Sequence, residues 1–145
     1  MKHSAGIIPY RRNHKGEIEY FVGHPGGNNY NFWALLKGEV EDGEDLASAA
    51  IREFKEETGL ELDWLKPSNL TPLGSVIQSV HKKVTAFALN YGSIIPEKCF
   101  SNMADNCDWP EIDKYRWMTF AELKDCTHPT HLSFYKMLEN ALKIN

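Results

Sequence analysis

The sequence has few cysteines and no excess of basic residues. Its three cysteines, Cys99, Cys107 and Cys126, are odd in number and form no C-x-x-C pair. This pattern argues against a disulfide framework and against a zinc site. The formal net charge is −4. Because phosphate backbones attract clustered lysine and arginine, no nucleic-acid polymer is expected as a partner. A small phosphorylated ligand held through a metal ion is compatible with this charge.

Long apolar segments are also missing. No run approaches the roughly 20 apolar residues of a membrane-spanning helix, so no membrane partner is expected. The opening segment, MKHSAGIIPYRR, lacks the apolar core region of a signal peptide. Hydrophobic residues make up 42% of the chain and charged residues 25%, as in ordinary globular proteins. We therefore predict a soluble, cytoplasmic protein in which residues 1–145 form one domain, while the oligomeric state stays open.

Strands and helices are predicted to mix without regular order. Strands are expected over 4–12, 18–24, 70–80, 83–92 and 115–118, and 31–40 starts as an extended stretch that ends in a loop. Residues 93–112 look irregular. A short helix in TFAELKDC, capped by Thr119, and a last amphipathic helix over 131–144 complete the chain. Because no regular βαβ alternation is present, an α+β fold or a three-layer α/β/α arrangement fits best.

The central helix is expected to begin near Gly43 or Glu44 and to end at Gly59. Asp42 and Asp45 are both candidate caps, and acidic residues suit the positive end of the helix dipole. Gly59 is suited to the left-handed conformation that ends many helices. The apolar residues of one side recur at helical spacing and are expected to be buried: Ala47, Ala50, Ile51 and Phe54.

Three glutamates lie on one stripe of this helix. Glu53, Glu56 and Glu57 occupy positions i, i+3 and i+4. A solvated, salt-bridged surface is the usual explanation for such a stripe, and Arg52 can pair with Glu56. Glu53 and Glu57, however, are like charges at i, i+4 and repel each other. A multivalent cation converts that repulsion into binding, and clustered carboxylates suit Mg²⁺, with Mn²⁺ as an alternative.

The helix belongs to a longer pattern. Residues 38–60, GEVEDGEDLASAAIREFKEETGL, resemble the signature of the Nudix hydrolases. The matching positions are Gly38, Glu44, Arg52, Glu53, Phe54, Glu56, Glu57, Gly59 and Leu60. The segments HPGG (24–27) and WALLKGE (33–39) are similar to a bacterial-type branch of nucleotide pyrophosphohydrolases, although Leu36 stands where many relatives have proline. The resemblance implies a Nudix-like α/β/α sandwich with a mixed central sheet.

The resemblance also implies a reaction and a set of ligands. The expected activity is Mg²⁺-dependent cleavage of a diphosphate bridge in a nucleoside diphosphate linked to another group, such as a nucleoside triphosphate. Glu53, Glu56 and Glu57 would hold the metal, together with the carbonyl of Gly38. Arg52 would orient the glutamates through charge-assisted hydrogen bonds. Glu44 would either act through water around the metal or support its loop.

The general base has two candidate sources. In this family it is either a glutamate of the signature or a carboxylate from a distant loop. Glu111, in DWPEIDKYRW, is the best candidate outside the signature and is also a candidate metal ligand. Asp108 and Asp113 compete with Glu111 for this role. Pro110 restricts the backbone just before Glu111 and helps to present it.

Substrate selection is expected to lie outside the signature. Lys37 is a candidate for contacting phosphates, and Trp33 and Tyr30 are candidates for stacking on a base. Neither the tyrosine typical of diadenosine tetraphosphate hydrolases nor the proline common in ADP-ribose hydrolases is found at its usual spacing. Two alternatives to a hydrolase stay open: a Nudix-fold module that binds a nucleotide without cleaving it, and a structural domain with an acidic surface helix. The intact glutamates favour the enzyme.

Overall fold

The computed structural model describes residues 1–143, whose strands form one mixed six-stranded sheet. The strands are β1 (Lys2–Arg12), β2 (Ile18–Pro25), β3 (Leu36–Glu39), β4 (Thr71–Ser79), β5 (Lys82–Asn90) and β6 (Ile112–Thr119). Their order across the sheet is β4-β5-β1-β2-β6, with β3 paired to β1. The β1–β5 pairing is parallel and the other pairings are antiparallel. The predicted mixed sheet is confirmed.

Strand β1 has two partners on the side away from β5. Its first half pairs with β3, where Ala5 lies opposite Gly38 and Gly6 lies opposite Lys37. Its last residues pair with β2, where Tyr10 lies opposite Tyr20. The short strand β3 therefore enters the sheet beside the first half of β1, and it brings the first residue of the signature with it.

Helices cover both faces of the sheet, as the three-layer interpretation requires. They are α1 (Leu46–Thr58), α2 (Phe120–Leu123) and α3 (Leu132–Leu142). Side chains alternate between the faces of a strand. Ile7 of β1 joins the core under α1, and Ile8 joins the core under α2 and α3. Phe54 of α1 is fully buried in the first core, a burial worth about 1.5–3 kcal/mol.

The ends of α1 follow from its capping residues. Asp45 is the N-cap, and its carboxylate accepts a hydrogen bond of 2.8 Å from the Ser48 amide. The helix therefore begins at Leu46, slightly later than predicted. Gly59 ends it with φ of 71°, and its N–H donates to the Lys55 carbonyl at 2.8 Å. Of the two candidate caps, Asp45 is confirmed and Asp42 is not, and the predicted stop residue is confirmed.

Other boundaries differ from those predicted. Only Leu36–Glu39 of the extended stretch 31–40 forms a strand, because that segment pairs with β1. Strand β6 begins at Ile112, earlier than predicted, because it pairs with β2 over its whole length. The last helix ends at Leu142, and residue 144 of the predicted helix lies outside the described residues. Within residues 1–143, no helix combines the length and apolar character needed to cross a membrane.

Candidate active site

Three carboxylates converge beside α1. Glu53 and Glu57 come from the helix, and Glu111 comes from the loop just before β6. One carboxylate oxygen from each lies within 4.8 Å of the others. Of the three acids in DWPEID, Glu111 is the one that joins this group. Asp108 is exposed, and Asp113 lies 2.7 Å from Nδ1 of His24.

Burial and mutual repulsion make this group resist ionisation. Burial raises the pKa of Glu57 well above its ordinary value, and the charges of Glu53 and Glu111 raise it further. Burial also raises the pKa of Glu53, although Arg52 opposes the effect. The neighbouring carboxylates disfavour the charged form of Glu57. The group therefore favours either bound protons or a bound cation.

The residues fit a divalent cation. Within the described chain, Oε1 of Glu57 is buried and has no hydrogen-bond partner. A buried acceptor without a partner is costly, and a cation would satisfy it. Gly38 of β3 packs directly against Glu53, because a Cβ atom at Gly38 would lie 1.9 Å from Cδ of Glu53. Clustered carboxylate oxygens suit hard ions such as Mg²⁺ or Mn²⁺.

Arg52 organises the acidic residues around it. Its Nε and Nη2 donate to the two carboxylate oxygens of Glu44 at 2.8 and 3.0 Å. Its Nη1 donates to Glu53 at 2.9 Å and to Glu56 at 3.2 Å. The hydrogen bonds from Arg52 lower the pKa of Glu44 to about 2. In this structure Glu44 anchors Arg52, and Glu56 lies beside the three-carboxylate group rather than in it.

The backbone of Glu57 has a partner that sequence reasoning did not find. The hydroxyl of Tyr115, in β6, donates a hydrogen bond to the carbonyl oxygen of Glu57. This contact ties the last turn of α1 to the strand that follows Glu111. The only sequence signal for it is that Tyr115 belongs to a predicted strand near Glu111.

Lys37 lies on the opposite face of the sheet from the glutamates. Strand alternation places Gly38 toward α1 and Lys37 toward α3. Burial lowers the pKa of Lys37 and the charge of Lys82 lowers it further, while the charges of Glu57 and Glu53 oppose the effect. Burial also lowers the pKa of His131 to about 3, with Lys37 and His128 adding to the effect. Sequence reasoning missed His128 and His131, and the low pKa of His131 leaves the positive charge of this basic group to Lys37 and Lys82, which suit an anion.

Tyr30 and Trp33 lie at a separate cavity of about 290 Å³. Tyr30 is 77% exposed, whereas Trp33 is only 9% exposed and packs in the core under α3. Next to them, His24 has Nδ1 at 2.7 Å from Asp113 and Nε2 at 2.7 Å from the Tyr30 carbonyl. A role in base stacking stays a prediction for both aromatic residues. The side chain of Tyr30 is more exposed than that of Trp33.

Comparison with known proteins agrees with this geometry. A family model described as NUDIX domain matches residues 2–138. An RNA pyrophosphohydrolase of Roseobacter denitrificans is 29% identical, over 94% of this chain and 93% of its own length. One of Dinoroseobacter shibae is 26% identical, over 92% of each. An Ap4A hydrolase of C. elegans, solved as a binary complex, superposes with a TM-score of 0.71 at 22% identity. That superposition covers 99% of this chain and 98% of the other.

The similarity is not confined to the signature. The family model spans the sheet, α1 and most of α3, so it extends over nearly all the described residues. The match covers far more than half of the chain and coincides with the carboxylate group beside α1. This chain belongs to the Nudix hydrolase family.

Proposed function

We propose that this protein is a Mg²⁺-dependent pyrophosphohydrolase that cleaves a diphosphate bridge in a nucleoside diphosphate linked to another group. The observation that carries the proposal is the three-carboxylate group of Glu53, Glu57 and Glu111, in which the buried Oε1 of Glu57 has no hydrogen-bond partner among residues 1–143. A binding module or a structural domain has no need of such a repulsive group. The proposed setting is the cytoplasm, with residues 1–145 acting as one domain.

The proposed metal site uses residues from three segments. Glu53, Glu57 and Glu111 would hold Mg²⁺, or Mn²⁺, with the Gly38 carbonyl and Glu56 as further ligands. The bound ion would supply positive charge that stabilises phosphate oxygens and makes water more acidic. Without it, the carboxylates would repel the diphosphate bridge.

The protein residues around the site have distinct proposed roles. Arg52 holds the carboxylate of Glu53 in place by a 2.9 Å hydrogen bond, and Glu44 fixes Arg52 in turn. Glu111 accepts the proton of the attacking water, or one of the signature glutamates does so. The structure supports Glu111 because it reaches the group from outside α1.

Substrate binding would extend to Lys37 and Lys82, since Lys37 is near enough to Glu57 and Glu53 for their charges to act on it. Lys37 and Lys82 would contact phosphates, and Tyr30 and Trp33 would contact the base. A nucleoside triphosphate or related nucleotide fits these roles. The two full-length relatives named RNA pyrophosphohydrolase favour a second candidate, the 5′ end of an RNA. The net charge of −4 weighs against extended contacts with an RNA backbone.

A product analysis tests this proposal. The protein is incubated with nucleoside triphosphates, dinucleoside polyphosphates and a 5′-triphosphate RNA, each with Mg²⁺ and with excess chelator. We expect a nucleoside monophosphate, or a 5′-monophosphate RNA, together with the phosphorylated remainder, and we expect no turnover in chelator. Glu53→Gln is the inactive control. Direct release of orthophosphate from a triphosphate, with no pyrophosphate, would point to different chemistry. Binding without turnover would support the non-catalytic alternative.

A further inference from the structure

Glu111 is carried by a segment that docks on the end of α1. We call residues 100–111 the Glu111 arm. The amide of Phe100 donates to the Thr58 carbonyl at 3.1 Å, and the amide of Asn102 donates to the Glu56 carbonyl at 3.2 Å. The last carbonyls of a helix have no partner inside the helix. The arm therefore supplies partners for two of these carbonyls, those of Thr58 and Glu56. It is docked on α1, the helix that carries Glu53 and Glu57.

Glu111 itself is held on both sides through its backbone. Its amide donates to the Asn102 carbonyl at 2.9 Å, and its carbonyl accepts from the Gly26 amide at 2.8 Å. A continuous relay of backbone hydrogen bonds thus runs from α1 through Asn102 to Glu111 and on to the end of β2. The position of the Glu111 carboxylate depends on this docking.

Two aromatic rings of the arm lie directly on glycines. A Cβ atom at Gly59 would lie 2.7 Å from the ring of Phe100, and one at Gly27 would lie 2.4 Å from the ring of Trp109. Real Cβ atoms do not approach other atoms so closely, so a side chain at either glycine would force the ring away. Phe100 is 68% exposed and Trp109 is 43% exposed. Neither ring is a core residue, and each one touches the body of the protein at one end of the arm.

We infer that Phe100 and Trp109 are positioning residues, which seat the Glu111 arm on Gly59 and Gly27 and so hold Glu111 against Glu53 and Glu57. The inference rests on the proposed role of Glu111 as a metal ligand. Loss of either ring leaves the backbone relay in place but removes the contact that restrains one end of the arm. Displacement of a catalytic group by about 1 Å can lower a rate by roughly 100-fold.

The test uses two readouts, one of which needs no substrate. Mn²⁺ binding is measured by electron paramagnetic resonance, and kcat and KM are measured with a hydrolysed nucleotide. For Trp109→Ala, Phe100→Ala and Gly27→Ala we expect Mn²⁺ binding to weaken about tenfold, kcat to fall about tenfold or more and KM to change little. Melting temperatures monitored by circular dichroism show that each variant is folded.

A matched glycine controls for backbone strain. Gly27 has φ of +79° and Gly16 has φ of +80°, but a Cβ atom at Gly16 would meet nothing within 4 Å. Both alanine variants therefore carry the same backbone cost, and only Gly27→Ala displaces Trp109. Gly16→Ala should keep wild-type Mn²⁺ binding and kcat. Equal behaviour of the two variants would overturn the inference.

A double variant separates positioning from general stability. If Trp109 acts through Glu111, then Trp109→Ala in a Glu111→Gln background should cause no further loss of Mn²⁺ affinity or kcat. Additive losses would overturn the inference, as would normal Mn²⁺ binding by Glu111→Gln. If the wild-type protein hydrolyses no nucleotide but the Mn²⁺ series behaves as expected, the proposed function fails and the positioning role stands.

Discussion

Gly38 lies against the carboxylate of Glu53. A Cβ atom at Gly38 would be 1.9 Å from Cδ and 2.1 Å from Oε2 of that side chain. Gly38 is not among the described glycines with positive φ, so the glycine is required by the close approach and not by its backbone conformation. Strand β3 and helix α1 thus meet at the three-carboxylate group, with no room for a side chain between them.

Gly38→Ala should disable the site. The new methyl group must push Glu53 away from Glu57 and Glu111, so we expect kcat to fall by roughly 100-fold. Overpacking of this kind costs about 1–3 kcal/mol of stability. The measurements are kcat and the melting temperature, with Gly16→Ala as a variant whose added methyl group enters open space. A fully active Gly38→Ala protein would mean that the position of Glu53 does not matter for turnover.

Glu57→Gln should stabilise the metal-free protein at neutral and higher pH. The pKa of Glu57 is raised in the folded state above its ordinary value of 4.5. Folding therefore favours the protonated form. The resulting stabilisation of the folded protein is complete below pH 4.5, and it is lost as the pH rises through the raised pKa of Glu57. In excess chelator, the melting temperature of the wild type should fall more steeply than that of Glu57→Gln as the pH rises above 4.5.

The same variant should lose most of its kcat, because a proposed metal ligand is removed. Glu97→Gln, which changes an exposed glutamate outside the site, serves as the charge-matched control and should leave both properties unchanged. A parallel pH dependence of melting for the wild type and Glu57→Gln would show that Glu57 is not the group that resists ionisation.

Glu111→Gln should lower kcat sharply and leave KM nearly unchanged. The loss falls mainly on the transition state if Glu111 is the base or a ligand that acts late in the reaction. The acidic limb of the pH–rate profile should disappear with the carboxylate. Asp108→Asn, which changes an exposed acid of the same arm, should behave as the wild type. An unchanged kcat and pH profile for Glu111→Gln would return the base to the signature glutamates.

Lys37→Met should raise KM with a smaller effect on kcat. Burial lowers the pKa of Lys37 and the charge of Lys82 lowers it further, so the two like charges repel each other. An anionic phosphate relieves this repulsion, so removing one cation weakens substrate binding. Lys83 points to the other face, because Lys82 and Lys83 are consecutive residues of β5. Lys83→Met is therefore the matched control, and equal KM values for the two variants would contradict the assignment of phosphates to this face.

Local features of the sequence determined the central helix and two of its carboxylates. Helical spacing puts Glu53 and Glu57 on one stripe, and Asp45 and Gly59 have the side-chain and backbone properties that begin and end α1. These relationships extend over a few residues, so they follow from the geometry of the helix. The signature also includes Gly38. Only the packing shows why a glycine is needed there, since a side chain would have no space beside Glu53.

Only the tertiary structure determined that Glu111 lies beside Glu53 and Glu57. DWPEID contains three acids with similar local surroundings, and no periodicity in the sequence distinguishes them. The docking of the Glu111 arm on α1 and β2 brings Glu111 to the group, while His24 binds Asp113. In the same way, pairing of β3 with β1 turns Lys37 away from its neighbour Gly38 and toward His131. Such contacts depend on strand register and loop docking between segments far apart in the chain, which local residue spacing does not encode.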